Sequence, residues 1–167
     1  MDSYLERLQQ ELENAMAGAT PADLAKGAEG KWNSGQILEH LYLTYRGTNK
    51  GIKKCLETGA LLATRTTFKQ RVQSFVVLDL GYFPNGRKSP ERVIPRGMPC
   101  DEVSRAILAE IRQMQSGLAD CERRFGVRTK VLDHPILGPL TAAQWRRFHL
   151  VHGRHHARQI RQRLGRA

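Results

Sequence analysis

Residues 141–164 read TAAQWRRFHLVHGRHHARQIRQRL, and this stretch decides the fold class. Thr141 with Gln144 three places on is a capping box: hydroxyl and amide each satisfy a backbone group of the first turn. Gly165 stands where a helix stops. No proline intervenes, so one helix should run to about Leu164. At about 100° per residue from Trp145, His152 lies near −20° and His156 near +20°. Trp145 and Phe148 mark that side as core-facing. His149, near +40°, and His155, near −80°, flank it by the same count of about 100° per residue.

Working outward, the rest of the chain is patterned as helix. Ser3 or Asp2 can cap a first helix to about Ala17, with Tyr4, Leu5, Leu8, Leu12 and Met16 on one side and Gly18 as a stop. Thr20-Pro21-Ala22-Asp23 starts a short second helix. Asn33 or Ser34 caps a long helix to about Thr58, with Ile37, Leu41, Tyr45, Ile52 and Leu56 inward and Gly59 beyond its end. A helix is expected from about Thr67 to Leu80, where Val72, Phe75, Val76 and Leu80 stand at helical spacing. The run Phe75-Val76-Val77-Leu78 also suits a strand. Asp101 opens another helix, ended by Gly126, with Val103, Ile107, Ile111, Met114, Leu118, Cys121 and Phe125 inward.

Between these lies a segment, 81–100, with Pro84, Pro90, Pro95 and Pro99 and three glycines, which no regular element survives. Its Arg87, Lys88, Arg92 and Arg96 could attract an anionic substrate, or simply face water. A loop also carries His134-Pro135 and Gly138-Pro139. The whole predicts an all-α chain: one domain, residues 1–167, built as a four-helix bundle with short N-terminal helices beside it and a long Pro/Gly-rich loop.

Composition narrows the function classes. At 167 residues and 40% hydrophobic content the chain can bury a core without disulfide staples. No apolar run reaches the roughly 18 residues of a membrane span. The start, MDSYLERLQQELENAM, is acidic and amphipathic, which is not a secretory signal. Cys55, Cys100 and Cys121 are scattered and odd in number, so they predict neither a disulfide framework nor a zinc ribbon; a reducing cytoplasm suits them. The net charge of +11 invites a nucleic-acid reading. On the last helix Arg147, Arg154, Arg158 and Arg161 fall within about 160–220°, opposite the histidines. Such a stripe would bind phosphates or be an ordinary solvated face.

The histidines carry the chemistry. Two imidazoles four residues apart on an inward face are costly to bury unless their nitrogens find partners. Either buried hydrogen-bond partners take them, or one divalent ion does, and i, i+4 is the spacing at which a helix offers two histidines to one ion. A catalytic site wants a third ligand. His40, one turn from Ile37 on the long helix, is a candidate; His134 lies in a loop. His149 and Gln159 could orient the ligand rings from behind, and His134 is a further candidate for that role. No general base is evident: Glu39 points about 100° away from His40, toward the surface or behind the ligand, and nothing supports Asp79 or Asp133.

Three segments also resemble a known superfamily. Trp32-Asn-Ser-Gly-Gln-Ile-Leu-Glu-His40-Leu resembles the first ligand segment of the DinB/YfiT-like metalloenzymes. His152-Gly-Arg-His-His156-Ala-Arg-Gln159-Ile resembles their H-x-x-x-H-x-x-Q segment, and His134-Pro135-Ile-Leu-Gly138-Pro-Leu-Thr141 before Trp145 is similar to a lead-in of one uncharacterised branch. The resemblance implies an up-down-down-up bundle and a divalent metal, nickel or zinc, on His40, His152 and His156. It further implies a hydrolase or thiol S-transferase acting on a small molecule, with a low-molecular-weight thiol as co-substrate in the transferase case, and a homodimer. The fold does not choose the reaction. The competing expectations are a basic nucleic-acid-binding helical protein and an inactive metal-binding structural dimer.

Overall fold

The computed structural model describes residues 3–27, 29–83 and 89–166. Asp2, Pro84, Gly86, Arg87 and Lys88, which entered the expectations above, lie outside them. The elements are α1 (Tyr4–Met16), α2 (Pro21–Ala25), α3 (Ser34–Thr58), α4 (Phe68–Ser74), α5 (Cys100–Phe125), β1 (Lys130–His134), β2 (Gly138–Thr141) and α6 (Ala142–Arg163). The fold is mostly helical with one small sheet. Among the described residues, no helix is long and apolar enough to cross a membrane.

Helix starts fall where side chains can take the orphan amides. Ser3, Thr20, Asn33 and Thr141 each close a capping box with Glu6, Asp23, Gln36 and Gln144. The last of these fixes the register of α6, and so the direction of its histidines.

Most of the core comes from α1, α3, α5 and α6. α3 lies along α5, and α1 lies along α6. The first helix is therefore not a segment packed beside the others. It buries Leu5, Leu8, Leu12 and Ala15 completely or nearly so, and each leucine contributes roughly 1.5–3 kcal/mol by leaving water. Asn49 Nδ2 donates to Glu110 O at 2.9 Å and Glu110 Oε2 at 2.6 Å, bridging α3 to α5. Arg146 grips both carboxylate oxygens of Glu122, at 2.6 and 2.9 Å, tying α6 to α5.

Two expectations are corrected here. The helix expected over 67–80 is α-helical only to Ser74 and continues as a π-helical turn over Phe75–Asp79. The wider turn rotates the inward face. Val77 and Leu78 are buried, whereas Val72, Phe75 and Leu80 are 48%, 54% and 63% exposed. The segment around His134 is a hairpin rather than a loop. β1 and β2 pair antiparallel, with Lys130 opposite Thr141 and His134 opposite Gly138. Leu62 adds to its outer edge through Leu62 N to Val131 O at 3.0 Å and Asp133 N to Leu62 O at 3.1 Å. Pro139 fits in β2 because a two-stranded ribbon leaves an edge that needs no donor.

The expected irregular segment is partly ordered by a 3-10 turn, Glu91–Val93. It passes over the N-terminal half of α3, where His40 stands.

Candidate metal centre

His40 on α3 and His152 and His156 on α6 meet inside the helical core. They are 4%, 5% and 8% exposed. Their ligand-capable nitrogens all lie within 4.8 Å of one another. His152 Nε2 is 3.0 Å from His156 Nε2 and 3.4 Å from His40 Nε2.

The groups behind the rings decide which nitrogen carries the proton. His40 Nδ1–H donates to Val93 O at 2.9 Å. That leaves the Nε2 lone pair of a neutral His40 facing the cluster. His156 Nδ1–H donates to Gln159 Oε1 at 2.7 Å, so its Nε2 also presents a lone pair. The Gln159 amide is held in turn by donating from Nε2 to His155 Nε2 at 3.3 Å. Two lone pairs thus converge on His152 Nε2. A proton there could satisfy only one of them.

One cation satisfies all three. A tetrahedral ion with Zn–N bonds of about 2.0–2.1 Å sets its donors roughly 3.3 Å apart; two of the three separations, 3.0 and 3.4 Å, lie near that value, and all three atoms are within 4.8 Å of one another. The donor set therefore fits a divalent ion with an affinity for imidazole; it does not choose among zinc, nickel, copper and iron.

Electrostatics point the same way. Burial, then the proximity of His40, pushes His156 down to about 3, against the opposing bond from Gln159. Burial, followed by His156 and His40, holds His152 well below the ordinary histidine range. Burial also lowers His40, opposed by its bond to Val93. All three rings are neutral near pH 7, the form that binds metal.

Aromatic rings wall the centre. Trp32 packs on His40 at 5.3 Å between centroids, Phe148 stacks on His152 at 5.4 Å, and Phe83 covers His152 at 5.0 Å and His155 at 5.2 Å. Arg163 Nε anchors the Trp32 carbonyl at 3.0 Å.

The residues expected to orient the ligands divide. Gln159 touches the cluster, through the bond from His156 Nδ1–H. His149 does not: it is fully buried one turn away, stacked on Trp145 at 5.6 Å and bonded through Nε2 to Thr48 Oγ1 at 3.2 Å. Its neighbours are core residues, not ligand rings. His134 caps the hairpin turn instead, with Nδ1 accepting from Ile136 N and Leu137 N at 3.1 Å each. Its ring packs on Phe148 at 4.3 Å.

The carboxylates are likewise placed. Asp79 pairs with Arg147 at 3.1 Å, and Asp133 accepts from Thr64 N and Oγ1 at 3.0 and 2.7 Å. Glu39 is not on the surface. It is 4% exposed and accepts from the backbone N–H groups of Arg96, Gly97 and Met98. Sequence reasoning missed this, because a carboxylate that binds backbone leaves no partner side chain to find.

The arginine stripe is largely engaged within the fold. Arg154 and Arg161 both reach Glu11 of α1, at 3.0 and 3.8 Å, and Arg147 takes Asp79. Arg158 is exposed. Three of the four arginines of the stripe thus face carboxylates of this chain.

Residues 5–163 match the model of a family described as a protein of unknown function, DUF1569. The chain belongs to DUF1569. No curated protein and no solved structure matches it. The DUF1569 match spans α1 through the end of α6, so all three histidines fall within the family's region.

Proposed function

We propose that this DUF1569 chain is a divalent-metal enzyme whose ion is held by His40, His152 and His156. The observation that carries the reading is the convergence of two tautomer-locked imidazole lone pairs on a third ring, 3.0 and 3.4 Å away, an arrangement that one shared proton cannot satisfy. The three segments resembling DinB/YfiT-like metalloenzymes support it, since two of them supply these histidines. The helices α1, α3, α5 and α6 are read as the up-down-down-up bundle of that superfamily, with α4 outside it.

A bound ion would act as a Lewis acid and lower the pKa of a water or thiol, giving a nucleophile near neutral pH. The chain's own residues do the rest. Val93 O and Gln159 Oε1 fix two ligand tautomers. Trp32 packs on the His40 ring, and Phe83 and Phe148 pack on the His152 ring. Glu39, Asp79 and Asp133, the carboxylates weighed as a general base, are each engaged elsewhere. The reaction class is hydrolysis or thiol S-transfer on a small molecule, with a low-molecular-weight thiol as co-substrate in the second case. Nickel or zinc suits the all-nitrogen donor set. The working form is a homodimer. The free state of Cys55, Cys100 and Cys121 supports a cytoplasmic setting.

Metal analysis of untagged protein tests the centre. One ion per chain is expected, lost in His156→Ala. Full occupancy in that variant would rule out this ligand set. Conjugation of a thiol to an electrophile, or ester and amide hydrolysis, each measured with and without metal, separates the two reaction classes.

A further inference from the structure

Glu39 and His40 are consecutive on α3, and both bind the same passing segment, residues 93–98. Their side chains leave the helix about 100° apart, so they grip it at different points. His40 Nδ1–H donates to Val93 O at 2.9 Å. Glu39 Oε1 accepts from Arg96 N at 2.7 Å, and Oε2 accepts from Gly97 N at 3.0 Å and Met98 N at 3.1 Å. Three successive amides converging on one carboxylate require a sharp backbone turn, which Gly97 supplies with φ of 92°. Among the described residues no lysine or arginine forms an ion pair with Glu39; the three amide dipoles face its buried charge instead.

We propose that Glu39 is a positioning residue for the metal centre: it docks segment 93–98, and the docked segment presents the Val93 carbonyl that fixes the ring of His40. The proposal rests on His40 being a ligand. Its physical core is that a carboxylate is acceptor-only, whereas a glutamine offers one acceptor oxygen and turns an NH₂ group toward amides that are themselves donors. The isosteric change Glu39→Gln therefore leaves at least one of these N–H groups without its partner and sets donor against donor. The segment lifts, Val93 O withdraws, and the proton of His40 is free to move to Nε2, the atom that must stay bare to bind a cation. A partner that fixes the ligand tautomer is the usual means by which proteins raise imidazole affinity for metal.

The experiment compares the unsubstituted chain with Glu39→Gln, Gly97→Val and Arg96→Ala. Three quantities are read: amide hydrogen exchange over 93–98, the His40 ring tautomer by nitrogen-15 NMR without metal, and zinc affinity by chelator competition. In Glu39→Gln the segment's amides should exchange about tenfold faster. The His40 signal should leave the Nδ1–H tautomer, and zinc affinity should fall roughly ten- to a hundredfold. Gly97→Val should do the same without touching the carboxylate, because its Cβ meets open space and only the backbone is strained. This second variant also guards against a folding defect caused by altering a buried position. Arg96→Ala removes an exposed side chain and keeps the amide, so all three readouts should hold. Retention of the Nδ1–H tautomer and of zinc affinity within about twofold in both Glu39→Gln and Gly97→Val would overturn the proposal. If the unsubstituted chain takes up no zinc, the metal reading fails, while exchange and tautomer, both measured without metal, still judge the role of Glu39.

Discussion

Leu8 of α1 packs directly over Gly153 of α6, so closely that a Cβ on the glycine would overlap Leu8 Cδ1 and sit 3.2 Å from the Tyr45 hydroxyl. Gly153 follows His152, so this close helix contact adjoins a proposed ligand. Gly153→Ala must push α1 away or bend α6. A loss of about 1–3 kcal/mol is expected from overpacking, despite the better helix propensity of alanine. Urea unfolding of the two proteins measures it; equal or greater stability of the variant would contradict the contact.

Gln159 offers a cleaner handle on the centre than any ligand. Gln159→Ala removes the acceptor of His156 Nδ1–H and leaves all three imidazoles in place. Metal affinity should drop by roughly tenfold or more, with stoichiometry still near one ion per chain. Chelator competition reports the first quantity and metal analysis the second. Unchanged affinity would show that the glutamine does not orient the ring.

His149 should behave in the opposite way. Its ring fills core space between Trp145, Tyr45 and Phe148. His149→Ala should cost about 2–4 kcal/mol through the cavity it leaves, yet spare metal stoichiometry. Thermal melts and metal analysis on one preparation separate the two effects. Loss of the ion without loss of stability would make His149 part of the centre.

Buried His149 and His156 and half-buried His134 set the pH response of the metal-free protein. His134, His149 and His156 are held down to about 4, 3 and 3, chiefly by burial, from an ordinary value of 6.5. Their folded-state values lie below their unfolded ones, so the unfolded chain binds more protons between the two. Stability is therefore full above about pH 6.5 and falls as the pH drops toward 4, each ring adding a slope of up to about 1.4 kcal/mol per pH unit. Urea midpoints taken from pH 7 down to 4 test this; a flat series would mean the rings are not buried as described.

What the sequence made legible was local. Helix caps at Thr20, Asn33 and Thr141 are short-range hydrogen-bond patterns, and each appears where the residues call for it. The helical period likewise brought His152 and His156 onto one inward face, and His40 onto the inner edge of its helix. What stayed hidden depended on partners distant in the chain. The hairpin 130–141 is held partly by Leu62, and its Pro135, Gly138 and Pro139 mimic a loop. The role of Glu39 depends on amides 57 to 59 residues away. The arginines of α6 read as a solvated face because nothing local shows that Glu11 of α1 lies against them. The apolar spacing of 72–80 misled because it assumed one helical pitch, and the π turn changes that pitch midway.

His40 stands 112 residues ahead of His152. An ion gripped by both would thus be a tether across two thirds of the chain, closing a loop whose ends would otherwise drift apart on unfolding. Occupancy and folding then become one equilibrium, with added stability growing as the logarithm of free metal over its dissociation constant. A cell short of that metal would hold not only an idle protein but a looser one, more open to proteolysis.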